Sequence, residues 1–154
     1  MFGDIIFVKG NSIFSKIIKW VTKSEYTHCA IVVSDDNLHI AEINYKYNLK
    51  INHLHYKDYV ICRYKYDLTQ EQKEKIYNFI LNTLNTKYDY IQTIGHLLRK
   101  LFGFKIINNP YMYNCSEFCD KFYKSADINL LENDYEGSVT PGELFRSEIL
   151  IKIE

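Results

Sequence analysis

A cysteine at the start of a helical pattern is the residue best suited to chemistry in this sequence. Asn114 is a favoured N-cap residue, which places Cys115 at the first position of the helix. There the free backbone N–H groups and the positive end of the helix dipole favour an anion, so we expect the pKa of the Cys115 thiol to fall. Because the thiolate is the attacking species in thiol chemistry, Cys115 is a candidate nucleophile.

The same position is also compatible with a cysteine that has no chemical role. Cys115, Phe118, Cys119 and Phe122 recur at helical spacing, so Cys115 also begins the inward face of the helix. On position alone it could be a small apolar core residue. Cys119 lies one turn deeper, and we expect it to be an unreactive packing residue.

A histidine and a glutamate lie in two consecutive apolar segments that predict a β-hairpin. The segments cover residues 26–34 and 38–43, with turn residues between them. His28 in one strand and Glu42 in its partner form the arrangement that fixes the tautomer and orientation of an imidazole. An unpaired carboxylate among the apolar neighbours of Glu42 would be costly. The alternative places Glu42 on a solvent face, with His28 making an ordinary hydrogen bond.

Metal ligation fits the spacing of the histidines and cysteines less well. His53 and His55 alternate, but no cysteine or carboxylate stands at ligand spacing beside them. A second set would combine His28 and Cys29 with the helix cysteines. Adjacent residues of a strand are expected to point to opposite faces, which separates these two side chains. We therefore expect neither a metal nor a cofactor.

Composition and charge limit the classes of function. The 154 residues predict one domain covering 1–154, and 19 Lys+Arg against 19 Asp+Glu give no bulk attraction to nucleic acid. No apolar run approaches a membrane span, and the N-terminus lacks the features of a signal peptide, so we expect a cytoplasmic protein without an integral membrane segment. The four cysteines lie in strand-like or helix-like segments, which is typical of reduced thiols.

The elements that must position these residues predict an α+β fold, an antiparallel sheet with helices on one side. Strand patterns occupy residues 5–8, 26–34, 38–43, 58–64 and 149–153, and helices begin after Ser12, Thr69 and Asn114. The first helix carries Ile13, Ile17, Trp20 and Val21 along one face. We expect residues 45–57 to form a loop with a short strand at 49–51, and a further helix at 91–101.

Short signatures in a fixed order indicate a family. They are Gly3-Asp-Ile-Ile-Phe7, Tyr26-Thr-His28, Ile40-Ala-Glu42, Arg63, Tyr88-Asp89, Asn114-Cys-Ser-Glu-Phe118 and Thr140-Pro-Gly-Glu-Leu144. With these signatures the chain resembles the circularly permuted papain-like cysteine hydrolases, the YiiX-like branch of the NlpC-type peptidase superfamily. The resemblance implies a permuted papain-like fold, with an antiparallel sheet or small barrel packed against helices.

The resemblance also implies roles for the candidate residues. Cys115 would be the nucleophile, His28 the base and Glu42 the group that orients it, in cleavage of an amide, peptide or related acyl bond through a thioester acyl-enzyme. The backbone N–H of Cys115 is the natural first oxyanion donor. Tyr26 is a candidate phenol for the second, with an aromatic core residue as the alternative, and Asn114 is a further candidate beside the nucleophile.

Two other functions remain open at this point. The lecithin:retinol acyltransferase-like proteins share the permuted fold, and they use a second histidine where this chain has Glu42. A lipid acyltransferase or phospholipase-like enzyme is therefore one alternative, and a non-catalytic binding module is the other. The expected partner is a peptide, amide or lipid-amide substrate, and the sequence does not fix its identity, the oligomeric state or the source. The frequent Ile, Asn, Lys and Tyr residues favour an AT-rich bacterial or phage genome.

Overall fold

The structure is a computed structural model. It describes residues 1–34, 36, 38–90, 95, 111–132 and 139–153, without the side chain of Phe14. The helix expected at 91–101 and most of the turn expected at 35–37 lie outside the described residues.

An antiparallel sheet forms the centre of the described part of the chain. Its strands are β1 (Ile5–Val8), β2 (His28–Ser34), β3 (His39–Asn44), β4 (Tyr47–His53), β5 (Tyr59–Tyr64) and β8 (Leu150–Lys152). They follow the spatial order β4-β3-β2-β1-β5-β8, and every neighbouring pair is antiparallel. The predicted antiparallel sheet is confirmed. The small-barrel alternative is wrong for the described residues, because β4 and β8 are edges that do not pair with each other.

The helices begin where the sequence predicts. They are α1 (Ile13–Thr22), α2 (Gln70–Thr83), α3 (Cys115–Lys124) and α4 (Pro141–Phe145), and a short parallel pair joins β6 (Lys87–Tyr88) to β7 (Met112–Tyr113). The predicted caps Ser12, Thr69 and Asn114 each accept a hydrogen bond from a backbone N–H in the first turn. Thr140 caps α4 in the same way, with Pro141 at the first helical position.

Alternating residues of the central strands divide the core into two clusters. Cys29 and Ile31 face a large cluster that includes Phe118 and Phe122 of α3, while Ala30 and Val32 face a smaller cluster on the other side of the sheet. The period of two predicted for a strand therefore holds from Cys29 to Val32. Helix α3 packs against β2 and β3, which brings its first turn to the strands that carry the polar residues of the hairpin.

The segment 45–57 differs from the prediction. Instead of a loop with three strand residues, the structure contains the seven-residue strand β4, paired with β3 from His39↔His53 to Asn44↔Tyr47. Only Leu49 of β4 is fully buried, and the other residues are half-buried or exposed. An edge strand needs little apolar sequence because much of its surface faces solvent, and among the described residues only Leu49 of β4 makes backbone hydrogen bonds on the outer side, with Asn85 and Thr86.

The orientation of α1 is a second difference. The helix is present, but Ile13, Ile17 and Trp20 of its apolar face are exposed, and only Val21 is buried. The spacing of the apolar residues shows that they share a face of the helix. It does not show whether that face contacts the protein.

An ion pair between the buried Asp4 carboxylate and the half-buried Arg63 joins the start of β1 to the end of β5. Arg63 Nε donates to Asp4 Oδ1 and Arg63 Nη2 to Asp4 Oδ2, both at 2.8 Å, and the Asp4 side chain is 3% exposed. Next to it, the Tyr123 hydroxyl of α3 donates to the carbonyl oxygen of Gly3 at 2.6 Å. Gly3 has φ of +89°, a conformation that favours glycine. Two of the sequence signatures thus hold β1, β5 and α3 together.

We expect Arg63→Ala to lower the free energy of unfolding by about 1.5–3 kcal/mol, the range for hydrogen bonds to a charged group. The reason is that the Asp4 carboxylate would stay buried without the two donors of Arg63. Urea denaturation at pH 7 measures the change, with the exposed Arg146→Ala as the matched control. Equal stability of the two variants would contradict a structural role for the pair.

Candidate active site

The first turn of α3 holds Cys115 in place through its cap and one further hydrogen bond. The Oδ1 atom of Asn114 accepts a hydrogen bond from the backbone N–H of Glu117 at 2.8 Å. The Ser116 hydroxyl donates to the carbonyl oxygen of Val139 at 2.7 Å, which joins α3 to the segment that leads into α4. Asn114, Cys115 and Ser116 are all buried. These contacts therefore fix the position of the first turn of α3, from which the Cys115 side chain projects.

The structure brings Cys115, His28 and Glu42 together. His28 is the first residue of β2, and its Nε2 atom lies 3.2 Å from Glu42 Oε2 on β3. The Cys115 thiol lies close enough to the ring to raise the pKa of His28, and both side chains line the same cleft. Since Nε2 faces Glu42, Nδ1 is the ring nitrogen left for the thiol. The imidazole thus lies between a carboxylate and a sulfur, the order that nucleophile, base and orienting group require.

Glu42 is fully buried and receives hydrogen bonds from several side chains. Asn52 Nδ2 donates to Oε1 at 2.8 Å and the Tyr56 hydroxyl donates to Oε2 at 2.6 Å, and Tyr47 lies close enough to help lower the pKa of the carboxyl. His55 Nδ1 lies 3.9 Å from Oε1. The alternative that placed Glu42 on a solvent face does not describe this structure. Its partners come from β4 and the residues just after it.

Those partners were missed from the sequence because they lie in the segment expected to be a loop. The alternation of Tyr47, Leu49 and Ile51 was the available signal for a longer strand. Such a strand beside β3 would have placed Asn52 near Glu42. Tyr56 lies beyond β4, and no local pattern marks it as a partner of the carboxylate.

Tyr26 does not lie at the candidate site. Its ring packs against Phe145 with a centroid distance of 4.3 Å and against Phe7 at 5.7 Å. It is not among the described residues that line the cleft beside Cys115. The alternative of an aromatic core residue therefore describes Tyr26, because the strand begins only at His28 and the alternation does not extend back to it.

Two cavities meet at Cys115. A cleft of about 440 Å³ runs between α1 and the β3–β4 turn, and its lining includes Ser12, Ser15, His28, Tyr47 and Tyr56. A recess of about 50 Å³ also borders the thiol, lined mainly by apolar atoms of Ile18, Thr22, Tyr88, Val139 and Pro141. Cys115 and Tyr88 border both cavities. A substrate can therefore approach the sulfur from a polar, aromatic side and place a small apolar group beyond it.

Comparison with models of protein families shows which family the chain belongs to. Residues 2–153 match the model of the permuted papain-like amidase enzymes, the YaeF/YiiX group of peptidase family C92. The chain belongs to this family. Comparison with curated protein sequences gives no significant match.

A solved structure supports the permuted papain-like fold. The chain is similar to the crystal structure of the metalloprotein YiiX from Escherichia coli O157:H7, with a TM-score of 0.74 and 20% identity, covering 100% of this chain and 96% of that one. In the part of this amidase that the structure describes, no group of three or more His, Cys, Asp or Glu residues is arranged to hold a metal ion. No helix among these residues is long and apolar enough to cross a membrane.

The buried charges of this permuted papain-like amidase shift the pKa values of His28 and Glu42 in opposite directions. Burial alone would lower the pKa of His28, but the hydrogen bonds and charges of Cys115 and Glu42 outweigh burial and raise it to about 9. Burial alone would raise the pKa of Glu42, but the hydrogen bonds from His28, Tyr56, Tyr47 and Asn52 lower it to about 2. An imidazolium beside an ionised carboxylate is thus the stable pair.

The pKa of Cys115 differs from the sequence prediction. A hydrogen bond with Cys29 and burial raise it well above its usual value, and His28 acts in the opposite direction. The expected lowering by the helix dipole alone is wrong, because the prediction left out the thiol of Cys29. His28 and Cys29 are adjacent, yet both contact Cys115. Strand alternation does not separate them, since His28 is the first residue of β2.

The His28–Glu42 ion pair predicts that the free energy of unfolding is highest at intermediate pH and falls at both lower and higher pH. Glu42 has a lowered pKa, so its contribution is present above pH 4.5 and is lost as the pH falls toward 2. His28 has a raised pKa, so its contribution is present below pH 6.5 and is lost as the pH rises through 9. Urea denaturation across this range should show a steeper alkaline loss in the wild type than in His28→Gln. The exposed His53→Gln serves as control and should keep the wild-type slope; parallel curves for all three proteins would refute the assignment.

Proposed function

We propose that this amidase-family protein is a cysteine hydrolase that cleaves an amide, peptide or related acyl bond through a thioester acyl-enzyme. Cys115 is the nucleophile and His28 is the base. Glu42 orients the His28 ring and stabilises its positive charge. The observation that supports this most is the buried carboxylate of Glu42, held by several donors and aimed at a histidine that contacts the thiol. We also propose that residues 1–154 act as one hydrolase domain.

Acylation begins in the form of the protein in which His28 is neutral, and His28 takes up the thiol proton of Cys115. The sulfur then attacks the carbonyl carbon, and the carbonyl oxygen takes up the negative charge. The backbone N–H of Cys115, at the first position of α3, is the donor for this oxyanion, because the first N–H groups of a helix lack an intrahelical partner. Collapse of the intermediate breaks the C–N bond, and the amine leaves with the proton held by His28.

Deacylation repeats these steps with water. His28 removes a proton from a water molecule, the hydroxide attacks the thioester, and the carboxylic acid leaves as the proton returns to the thiol. Glu42 stabilises the imidazolium in both halves of the reaction, since a charged partner favours the charged form of the ring. The raised pKa of Cys115 means that proton transfer to His28, and not the helix dipole alone, generates the nucleophile.

The two cavities suggest the shape of the substrate. The recess of about 50 Å³ beside the thiol has room for a small apolar group, while the larger cleft offers hydroxyl, imidazole and phenol groups. We therefore propose that the group next to the scissile carbonyl is small and apolar. Alanyl amides should be cleaved faster than phenylalanyl amides in a fluorogenic aminoacyl-amide series.

We expect Cys115 to react with iodoacetamide faster than the three other cysteines at pH 7. It is 7% exposed and borders the cleft, whereas Cys29 and Cys119 are 0% and Cys62 is 2% exposed. His28→Ala should slow the labelling of Cys115 by roughly 100-fold, the lower end of the effect of a positioned base. Peptide mapping after timed labelling gives the rates. Faster labelling of Cys29, Cys62 or Cys119 in the folded protein would remove Cys115 as the nucleophile.

The three residues should behave as one unit in steady-state hydrolysis. Cys115→Ala and His28→Ala should each abolish nearly all turnover, and the double variant should be scarcely slower than either one. Glu42→Gln should be milder, because an amide still accepts a hydrogen bond from the ring but does not stabilise its charge. Cys62→Ala, a buried cysteine outside the site, should keep wild-type turnover. Full activity in Cys115→Ala would end the hydrolase proposal and favour a binding module.

A further inference from the structure

The outward face of α1 carries large apolar side chains in contact with solvent. Ile13 is 79% exposed, Ile17 48% and Trp20 71%. These positions are four and three residues apart, so the side chains form one continuous stripe along the helix. A contiguous exposed apolar surface of this kind marks an interaction site, whereas single exposed apolar residues are ordinary.

The opposite side of α1 is fixed to the protein, so the stripe is not a sign of a loosely attached helix. Val21 and Thr22 are buried, and Ser12 caps the helix by accepting a hydrogen bond from the Ser15 N–H at 3.0 Å. Ser15 and Ile18 line the cleft beside Cys115. The helix thus has a folded inner side and an apolar outer side.

The charges on α1 indicate which kind of partner the apolar stripe would bind. Lys16, Lys19 and Lys23 lie on or directly after the helix, and no acidic residue occurs between Ser12 and Lys23. On a helical projection Lys16 and Lys19 fall on one side of the apolar stripe, and Lys23 follows as the C-cap residue. The nearest acidic residue in the sequence, Glu25, lies 2.8 Å from Lys9 and also interacts with Lys19, so this part of the chain carries four lysines and one glutamate. The surface around the stripe is therefore cationic and matches an anionic partner.

We propose that α1 docks this protein on an anionic membrane surface. A helix with lysines on its polar side and Trp and Ile on the other lies in the plane of the interface, with its apolar side among the acyl chains. Its ten residues are far short of the roughly 20 that a spanning helix needs. The docked helix lies parallel to the membrane and is held by apolar burial together with lysine–phosphate attraction.

Docking through α1 fixes the position of the catalytic cleft as well. Because the inner side of α1 forms one wall of the cleft, the cleft lies about one helix diameter, roughly 10 Å, from the membrane surface. The proposal does not depend on the hydrolase activity. Cys115→Ala should therefore bind membranes as the wild type does. Membrane binding and hydrolysis can thus be tested separately, and failure of one does not decide the other.

The sole tryptophan of the chain, Trp20, reports on the contact directly. We expect its emission to shift to shorter wavelength when vesicles of phosphatidylglycerol and phosphatidylcholine are added, and to be quenched by brominated acyl chains. Vesicles of phosphatidylcholine alone should bind much more weakly. Replacing Lys16, Lys19 and Lys23 by Gln should weaken partitioning roughly 100-fold, since each lysine near the surface contributes about five-fold.

A second helix provides the matched control. Tyr77 and Leu81 on α2 are 57% and 50% exposed, but Lys73 there has Glu71 and Glu74 as neighbours. Ile13→Ser with Ile17→Ser should abolish sedimentation with vesicles, whereas Tyr77→Ser with Leu81→Ser should leave it unchanged. Circular dichroism and melting curves of both double variants establish that they are folded.

Three outcomes would overturn the proposal. The first is wild-type protein that does not sediment with anionic vesicles, which would leave the stripe to a protein partner. The second is binding that Ile13→Ser with Ile17→Ser does not reduce. The third is a dimer of the wild type that the same double variant dissociates in the absence of vesicles, which would assign the stripe to a second copy of the chain.

Discussion

The burial of one charged carboxylate, Glu42, sets the arrangement of everything around it. A carboxylate removed from water stays ionised only if donors and a positive partner replace its hydration. The donors come from β2, β4 and the residues just after β4, so three parts of the chain must meet at one point of β3. The open sheet provides that meeting point, because β3 lies between β2 and β4. The order of these strands and the protonation state of the His28 ring therefore depend on each other.

The position of the thiol follows from a different set of contacts. Asn114 fixes the start of α3, Ser116 joins it to Val139, and Tyr123 at the far end joins it to Gly3. The helix is thus held at both ends against a sheet whose own strands are joined by Asp4 and Arg63. Such support from a rigid scaffold would hold the proposed nucleophile, Cys115, and the proposed base, His28, close to each other. Cys29 raises the pKa of the Cys115 thiol. In the proposed mechanism the thiol is therefore activated by proton transfer to His28.

Much of this could be predicted from the sequence, because caps, apolar strands and the alternation of Cys29 with Ala30 are local features. The three candidate residues followed from the same patterns and from the family signatures. Strand β4 was missed because an edge strand such as Tyr47–His53 needs few apolar residues, and with it the partners of Glu42 were missed. Periodicity placed Ile13, Ile17 and Trp20 on one face but carries no information on what that face meets. The contact of Cys29 with Cys115 is long-range, and no local pattern encodes it.

The permuted order of the site has a consequence for the protein as it is made. His28 and Glu42 leave the ribosome early, on neighbouring strands that pair with each other, whereas Cys115 follows much later in the chain. Because chains fold from the N-terminal side during synthesis, the hairpin can form while no nucleophile is present. Under the proposed mechanism, a nascent chain is therefore inert toward acyl groups until α3 has been synthesised and has docked on β2 and β3. In this order of synthesis Cys115 is the last of the three proposed catalytic residues to be added.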